Sequence, residues 1–108
     1  AIGAVIGHEM THGFDDQGRQ YDVKGNLTNW WTKVDSAEFV ERAKKIIAQF
    51  NEFNPVDTLH INGEVTQGEN IADLGGLLLG LDAFKKTEQY KKGEKTVFLN
   101  VNLQAIIG

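Results

Sequence analysis

Two histidines four residues apart inside an apolar segment constrain this chain more than any other feature. Residues 1–13 read Ala-Ile-Gly-Ala-Val-Ile-Gly-His-Glu-Met-Thr-His-Gly, so His8, Glu9 and His12 interrupt a run of small and aliphatic side chains. The pattern predicts a helix over residues 1–13 with Gly13 as its stop. Glycine is a poor helix former, so a helix carrying Gly3 and Gly7 depends on tertiary burial. With Ala4, these glycines also allow close helix packing. On a helix, positions four apart share one face. Both imidazoles therefore reach one ion at the zinc–nitrogen distance of about 2.0–2.1 Å. Glu9, turned by about 100° from His8, is poorly placed to join them but can face a water on the ion. Zinc lowers the pKa of such a water to about 7, and a neighbouring carboxylate takes the proton as the water attacks a carbonyl. The plain alternative is three polar side chains sharing a helix surface by chance. The apolar surroundings oppose it, because buried polar groups need partners.

A catalytic zinc keeps three protein ligands and an open position, so a third ligand must come from elsewhere. His60 and many carboxylates are candidates; Glu69, in Gly68-Glu69-Asn70-Ile71-Ala72-Asp73, is the strongest. It opens a second apolar helix, with Asp73 four positions later on the same face. One of the two carboxylates can ligate the ion while the other accepts the N–H of a ligand histidine, fixing its tautomer and raising its basicity. Alternatively, Glu69 is an acid favoured by the dipole near a helix N-terminus.

The other elements surround these two segments. Residues 14–33 read as a loop with Gly18, Gly25 and Asn26 as turn residues, and the packed pair Trp30-Trp31 near its end. A helix follows, capped by Asp35 or Ser36, with Glu38 placed as in a capping box. Phe39, Ala43, Ile46, Ile47 and Phe50 form its apolar stripe, and Glu41, Arg42, Lys44 and Lys45 lie off it; Pro55 ends the element. Asn62-Gly63 predicts a short hairpin or extended loop over residues 56–68. A third helix is expected over residues 69–90. Its Ile71, Ala72, Leu74, Leu77, Leu78, Leu81 and Phe84 cover much of the circumference. Gly75, Gly76 and Gly80 imply contact with another backbone, which puts this helix in the middle of the structure. Residues 96–108 alternate like a strand yet also suit a buried helix.

Composition narrows the function classes. The 108 residues suffice for one small domain. With 41% hydrophobic and 24% charged residues, the chain is globular rather than disordered. Its net charge of -4, spread without a basic patch, removes the electrostatic footprint of nucleic-acid binding. The absence of cysteine excludes disulfides and thiolate metal sites and leaves the compartment open. No apolar run nears the roughly 20 residues of a membrane span, so this segment is expected to make no membrane contact. There is no initiator methionine and both ends are apolar, so they read as cuts through a longer polypeptide.

Four stretches together resemble the neprilysin family of zinc metalloendopeptidases, which includes bacterial oligoendopeptidase O. They are residues 5–19 around the histidine pair, Trp30-Trp31-Thr32, His60-Ile61-Asn62-Gly63, and residues 68–77 with Gly-Glu-Asn-Ile-Ala-Asp. The long interval between His12 and Glu69 fits that family and exceeds the one in thermolysin-like enzymes. The resemblance implies a mainly α fold with zincin-type active-site helices of the gluzincin kind and at most a short β-hairpin. Residues 1–108 would be one partial catalytic domain, truncated at both ends. It implies His8, His12 and Glu69 as ligands of one Zn2+, Glu9 as catalytic base, Asp73 as partner of a ligand histidine, and Asp15 in a similar part near the other. It assigns His60 no role. Residues 98–108 depart from the pattern, keeping Phe98 but lacking a family tryptophan. The family's substrate-binding strand, oxyanion-stabilising histidine and carboxylate-binding arginine fall outside the chain.

Two readings follow. In the first, the chain is the zinc-centred part of an enzyme that hydrolyses oligopeptides, its parent extracytoplasmic or, less in keeping with the family, cytoplasmic. In the second it is a zinc-binding helical or scaffolding domain without activity. In either, strongly apolar helices in so short a chain leave exposed patches that favour self-association.

Overall fold

The computed structural model describes residues 1–93; the strand-or-helix question over residues 96–108 lies outside them. Four α-helices carry the described chain: α1 (Ile2–Thr11), α2 (Lys33–Asn51), α3 (Gly63–Lys85) and the short α4 (Glu88–Lys91). Single 3-10 turns cover His12–Phe14 and Gly18–Gln20. Strand pairing among the described residues is confined to isolated bridges, Tyr21 with Leu27 and Val56 with Leu59. The expected mainly α architecture therefore holds.

Several boundaries differ from the sequence expectation, each for a local reason. The cap of α2 is Thr32, one turn earlier than expected. Its backbone is extended, its Oγ1 accepts from the Asp35 amide at 3.0 Å, and it donates to Asp35 Oδ2 at 2.7 Å. Asn62-Gly63 makes no hairpin. Asn62 caps α3, its Oδ1 accepting from Glu64 and Val65, and Gly63 is the first helical residue. The tip is held from α2, where Asn51 Oδ1 accepts from the Gly63 amide at 2.6 Å. A methyl group on Gly63 would collide with the Ile47 carbonyl, so only glycine fits this approach. At the other end α3 stops at Lys85 instead of running to Tyr90. Thr87 then caps α4.

α3 is the shared partner of α1 and α2, which do not touch each other among the described residues. It thus sits in the middle, as its composition suggests. The α1–α3 contact is antiparallel and made of backbone. A methyl group on Gly3 would lie 3.7 Å from Gly80 Cα, and one on Gly7 would lie 2.9 Å from Gly76 Cα and its carbonyl oxygen. The expectation that α1 is a buried helix needs correction. Its glycine side is buried, but Ile2, Val5, Ile6 and Met10 are each more than half exposed. The reason is that close approach uses the side of α1 without side chains, which turns the aliphatic ones outward.

The result is a plate 44 × 43 × 21 Å. No large side chain among the described residues is fully buried; the buried apolar side chains are Ala43 and Ala72. On α2 the expected stripe is correct in position, with Ala43 buried and Phe39, Ile46, Ile47 and Phe50 partly so. Replacing Asn62 by alanine should lower stability by about 1 kcal/mol, the worth of an N-cap. Gly63→Ala should cost more, because backbone must move. Denaturant titration of both variants tests the order; an Asn62→Ala chain as stable as wild type contradicts the capping assignment.

Candidate metal centre

The C-terminal turn of α1 faces the N-terminal half of α3, because the two helices run antiparallel. That geometry brings His8 and His12 opposite Glu69 and Asp73. His8 Nε2 lies 3.0 Å from His12 Nε2 and 3.2 Å from Glu69 Oε2. His12 Nε2 lies 3.4 Å from Glu69 Oε1. Among the described residues these three form the histidine–carboxylate group whose ligand atoms lie within 4.8 Å of one another. Ligands about 2.0–2.1 Å from a tetrahedral ion stand about 3.3–3.4 Å apart, so the three separations suit a zinc-sized cation.

The outer nitrogens decide which atoms face that centre. His8 Nδ1 donates to Asp73 Oδ1 at 2.7 Å, and His12 Nδ1 donates to Asp15 Oδ2 at 2.7 Å. An ionised carboxylate only accepts, so each Nδ1 carries the hydrogen and each neutral ring presents an Nε2 lone pair. Two lone pairs and a carboxylate converging at these distances repel one another unless a proton or a cation sits among them. The donor set therefore fits a divalent metal, with imidazole and carboxylate ligands of the type zinc takes.

Asp15 is the most firmly held member. It is buried, and its Oδ1 accepts from the amides of Gly18 at 2.6 Å and Gln17 at 3.0 Å. A side chain on Gly18 would run into the His12 carbonyl, so the loop can only close here with glycine. Burial pushes the Asp15 carboxyl up, but the bonds from His12, Gly18 and Gln17 together outweigh it and hold the group below its usual range. The same bond from Asp15 holds His12 above its ordinary value against partial desolvation, with Glu69, Asp15 and Glu9 adding charge effects in the same direction.

Glu69 and Asp73 differ from Asp15 in exposure, their side chains being 70% and 75% accessible. Among the described residues the centre is thus walled on the α1 and loop side and open beyond the α3 carboxylates. Glu9 lies next to His8 on the exposed part of α1. His60, weighed as a third ligand, is exposed in the α2–α3 connection and is not part of the group. The tryptophans lie elsewhere. Trp31 stacks edge-on with Trp30 and Phe39, and the Arg19 guanidinium lies over the rings of Trp31 and Phe39.

Three further residues near the histidines carry bonds that the sequence pattern did not assign. Gly18 and Gln17 grip Asp15, and Thr11 Oγ1 donates to the Gly7 carbonyl at 2.7 Å. The spacing of Asp15 and Gly18, an Asx-type turn, was a readable signal for the first pair. Thr11 bonds back to its own helix, and nothing in the local pattern marks its approach to Gly75 of α3.

The profile described as peptidase family M13 matches residues 1–106. Neprilysin-11 of Caenorhabditis elegans is 52% identical over 87 residues, which are 80% of this chain and 10% of that protein. Human endothelin-converting enzyme-like 1 is 48% identical over 85 residues, 79% of this chain and 11% of its own. The crystal structure of the Mycobacterium tuberculosis zinc metalloprotease ZMP1 with an inhibitor superposes with a TM-score of 0.78 at 43% identity, covering 97% of this chain and 17% of that one. PEPO from Lactobacillus rhamnosis superposes at 0.73 with 39% identity, covering 82% and 14%. The chain therefore spans between a tenth and a fifth of the length of these relatives. A profile match over residues 1–106, nearly the whole chain, places this chain in peptidase family M13.

Proposed function

We propose that this chain is the metal-binding part of a zinc metalloendopeptidase whose larger catalytic domain cleaves oligopeptides. The convergence of His8 Nε2, His12 Nε2 and Glu69 across α1 and α3 carries the reading. Family membership and the zinc metalloprotease named among the solved structures support it. His8, His12 and Glu69 would hold one Zn2+, which supplies a Lewis acid and lowers the pKa of water beside it.

The chain's own groups do the rest. Asp73 and Asp15 keep both imidazoles turned with Nε2 inward and hold their Nδ1 protons. Glu9 accepts the proton of the attacking water and later delivers one to the leaving amine, the part its place beside His8 allows. The opening past Glu69 and Asp73 admits an extended peptide. The groups that stabilise the oxyanion and bind the substrate ends come from the rest of the domain, as in the family. An oxyanion donor is worth about 10²–10³ in rate, so the isolated chain binds at most one zinc and hydrolyses peptides weakly or not at all.

The aliphatic side of α1 and the half-exposed Leu74, Leu78 and Leu79 of α3 are the surfaces that the remainder of the domain would cover. In isolation such surfaces associate with each other. Light scattering of the isolated chain should report oligomers growing with concentration; a strict monomer at high concentration contradicts this.

In the full-length protein, Glu9→Gln should retain zinc and lose about 10²–10⁴-fold in peptide hydrolysis. Full activity in that variant, or unchanged zinc affinity in His8→Ala, would overturn the assignment.

The two supporting aspartates should separate. Asp73→Ala and Asp15→Ala should each weaken zinc about 10–100-fold. Asp15→Ala should also lower the metal-free melting temperature, because it strands two amides, whereas exposed Asp73 should leave it unchanged. Chelator competition and calorimetry together read both effects.

A further inference from the structure

Glu69, Asp73 and Gly76 lie at successive turns along one face of α3, the face turned to α1. At Gly76 the approach leaves no room. A methyl group there would lie 2.5 Å from the Ala4 carbonyl oxygen, 2.5 Å from the His8 amide nitrogen and 2.8 Å from His8 Cα. All three are backbone atoms, and two of them belong to His8, a residue of the metal centre itself. One position earlier, a methyl group on Gly75 would lie 2.5 Å from Thr11 Oγ1 and 2.6 Å from Thr11 Cγ2. Thr11 cannot readily turn away, because its hydroxyl donates to the Gly7 carbonyl at 2.7 Å. Gly3, on the same side of α1 but two turns from His12, is different: its added methyl meets only Gly80 Cα at 3.7 Å, an ordinary contact.

We propose that Gly75 and Gly76 are positioning residues of the metal centre. On this reading they set the spacing between the helix of the histidine pair and the helix of the carboxylates, beyond any part they play in holding the fold together. The inference rests on the metal-binding reading above. Magnitudes favour it. Carbon atoms settle about 3.5–4.0 Å apart, so relieving the 2.8 Å contact with His8 Cα moves α1 away from α3 by about 1 Å. A metal site tolerates changes of about 0.2 Å in its ligand distances. Glu69 can re-aim part of the difference through its longer side chain. Asp73 reaches His8 Nδ1 through one methylene at 2.7 Å and cannot.

The test uses the full-length protein, with Zn2+ affinity from chelator competition, metal-free melting, and the visible spectrum of the Co2+-loaded form. Gly76→Ala is expected to weaken Zn2+ at least tenfold and to alter the Co2+ bands, while Gly3→Ala leaves both unchanged. Gly75→Ala is expected to weaken Zn2+ as well, and Thr11→Ala in the same chain to recover most of the loss by making room. A folded Gly76→Ala protein with wild-type affinity and spectrum overturns the proposal. Equal weakening by Gly3→Ala also overturns it, since that would be a general effect of the helix seam. Should Gly76→Ala fail to fold, the Gly75→Ala and Thr11→Ala pair decides: recovery supports the proposal and its absence overturns it. A folded wild-type protein that binds no Zn2+ defeats the metal-centre reading itself, an outcome distinct from a zinc-binding protein indifferent to these glycines.

Discussion

Direct contact between the backbones of α1 and α3, with Gly7 against Gly76, governs the arrangement of everything near the histidines. Side chains normally keep packed helices about 8–10 Å apart, and glycines remove that spacer. The cost is helix propensity, since glycine is about 1 kcal/mol worse than alanine in a helix interior. What is gained is reach. An imidazole on one helix and a two-methylene carboxylate on the other can then point at a common centre. The same choice turns the aliphatic side chains of α1 outward, so the exposure of Val5, Ile6 and Met10 and the convergence of His8, His12 and Glu69 have one cause.

Geometry alone would leave the imidazoles free to flip or to share a proton. The two aspartates remove that freedom in different ways. Asp15 is rigid: it is buried, anchored to two amides and positioned by a glycine that admits no side chain. Asp73 is exposed and held mainly by its place on α3, so its hold on His8 is only as good as the helix spacing. One imidazole is thus oriented by a local loop and the other across the seam. The α1–α3 contact sets tautomer and ring direction for His8 as well as the distance to Glu69.

Much of this could be read from the residues alone. The histidine pair, the Glu69–Asp73 pair and the three α3 glycines were visible because each follows helical spacing within one segment. The apolar stripe of α2 was visible for the same reason. Misreadings came where one local pattern serves two structures. Asn62-Gly63 favours a hairpin turn in isolation, but an asparagine followed by a helical pattern is equally an N-cap, and Asn51 on α2 settles the matter by accepting from Gly63. Asp35 looked like a cap because it lies three before Glu38, yet Thr32 stands in the same relation to Asp35 and has the extended backbone a cap requires. The outward side of α1 was read as buried because hydropathy reports a need for cover, and the cover is not made within residues 1–93.

Among the described residues the buried apolar side chains are two alanines, of which only Ala72 lies on α1 or α3, and a methyl-sized group contributes only about 0.8 kcal/mol on burial. The α1–α3 seam therefore gains little from the hydrophobic effect by itself, while it brings two Nε2 lone pairs and a carboxylate into mutual repulsion. A cation at their centre would reverse the sign of that interaction. Because His8 and His12 lie on the α1 side and Glu69 on α3, a cation held by all three would favour the docked pair over the separated one, and its binding energy would become docking energy. Apolar cover on the outer faces would act on the same equilibrium from the other side. On this physical picture a metal held by these residues would be one of the fastenings of the plate that carries it.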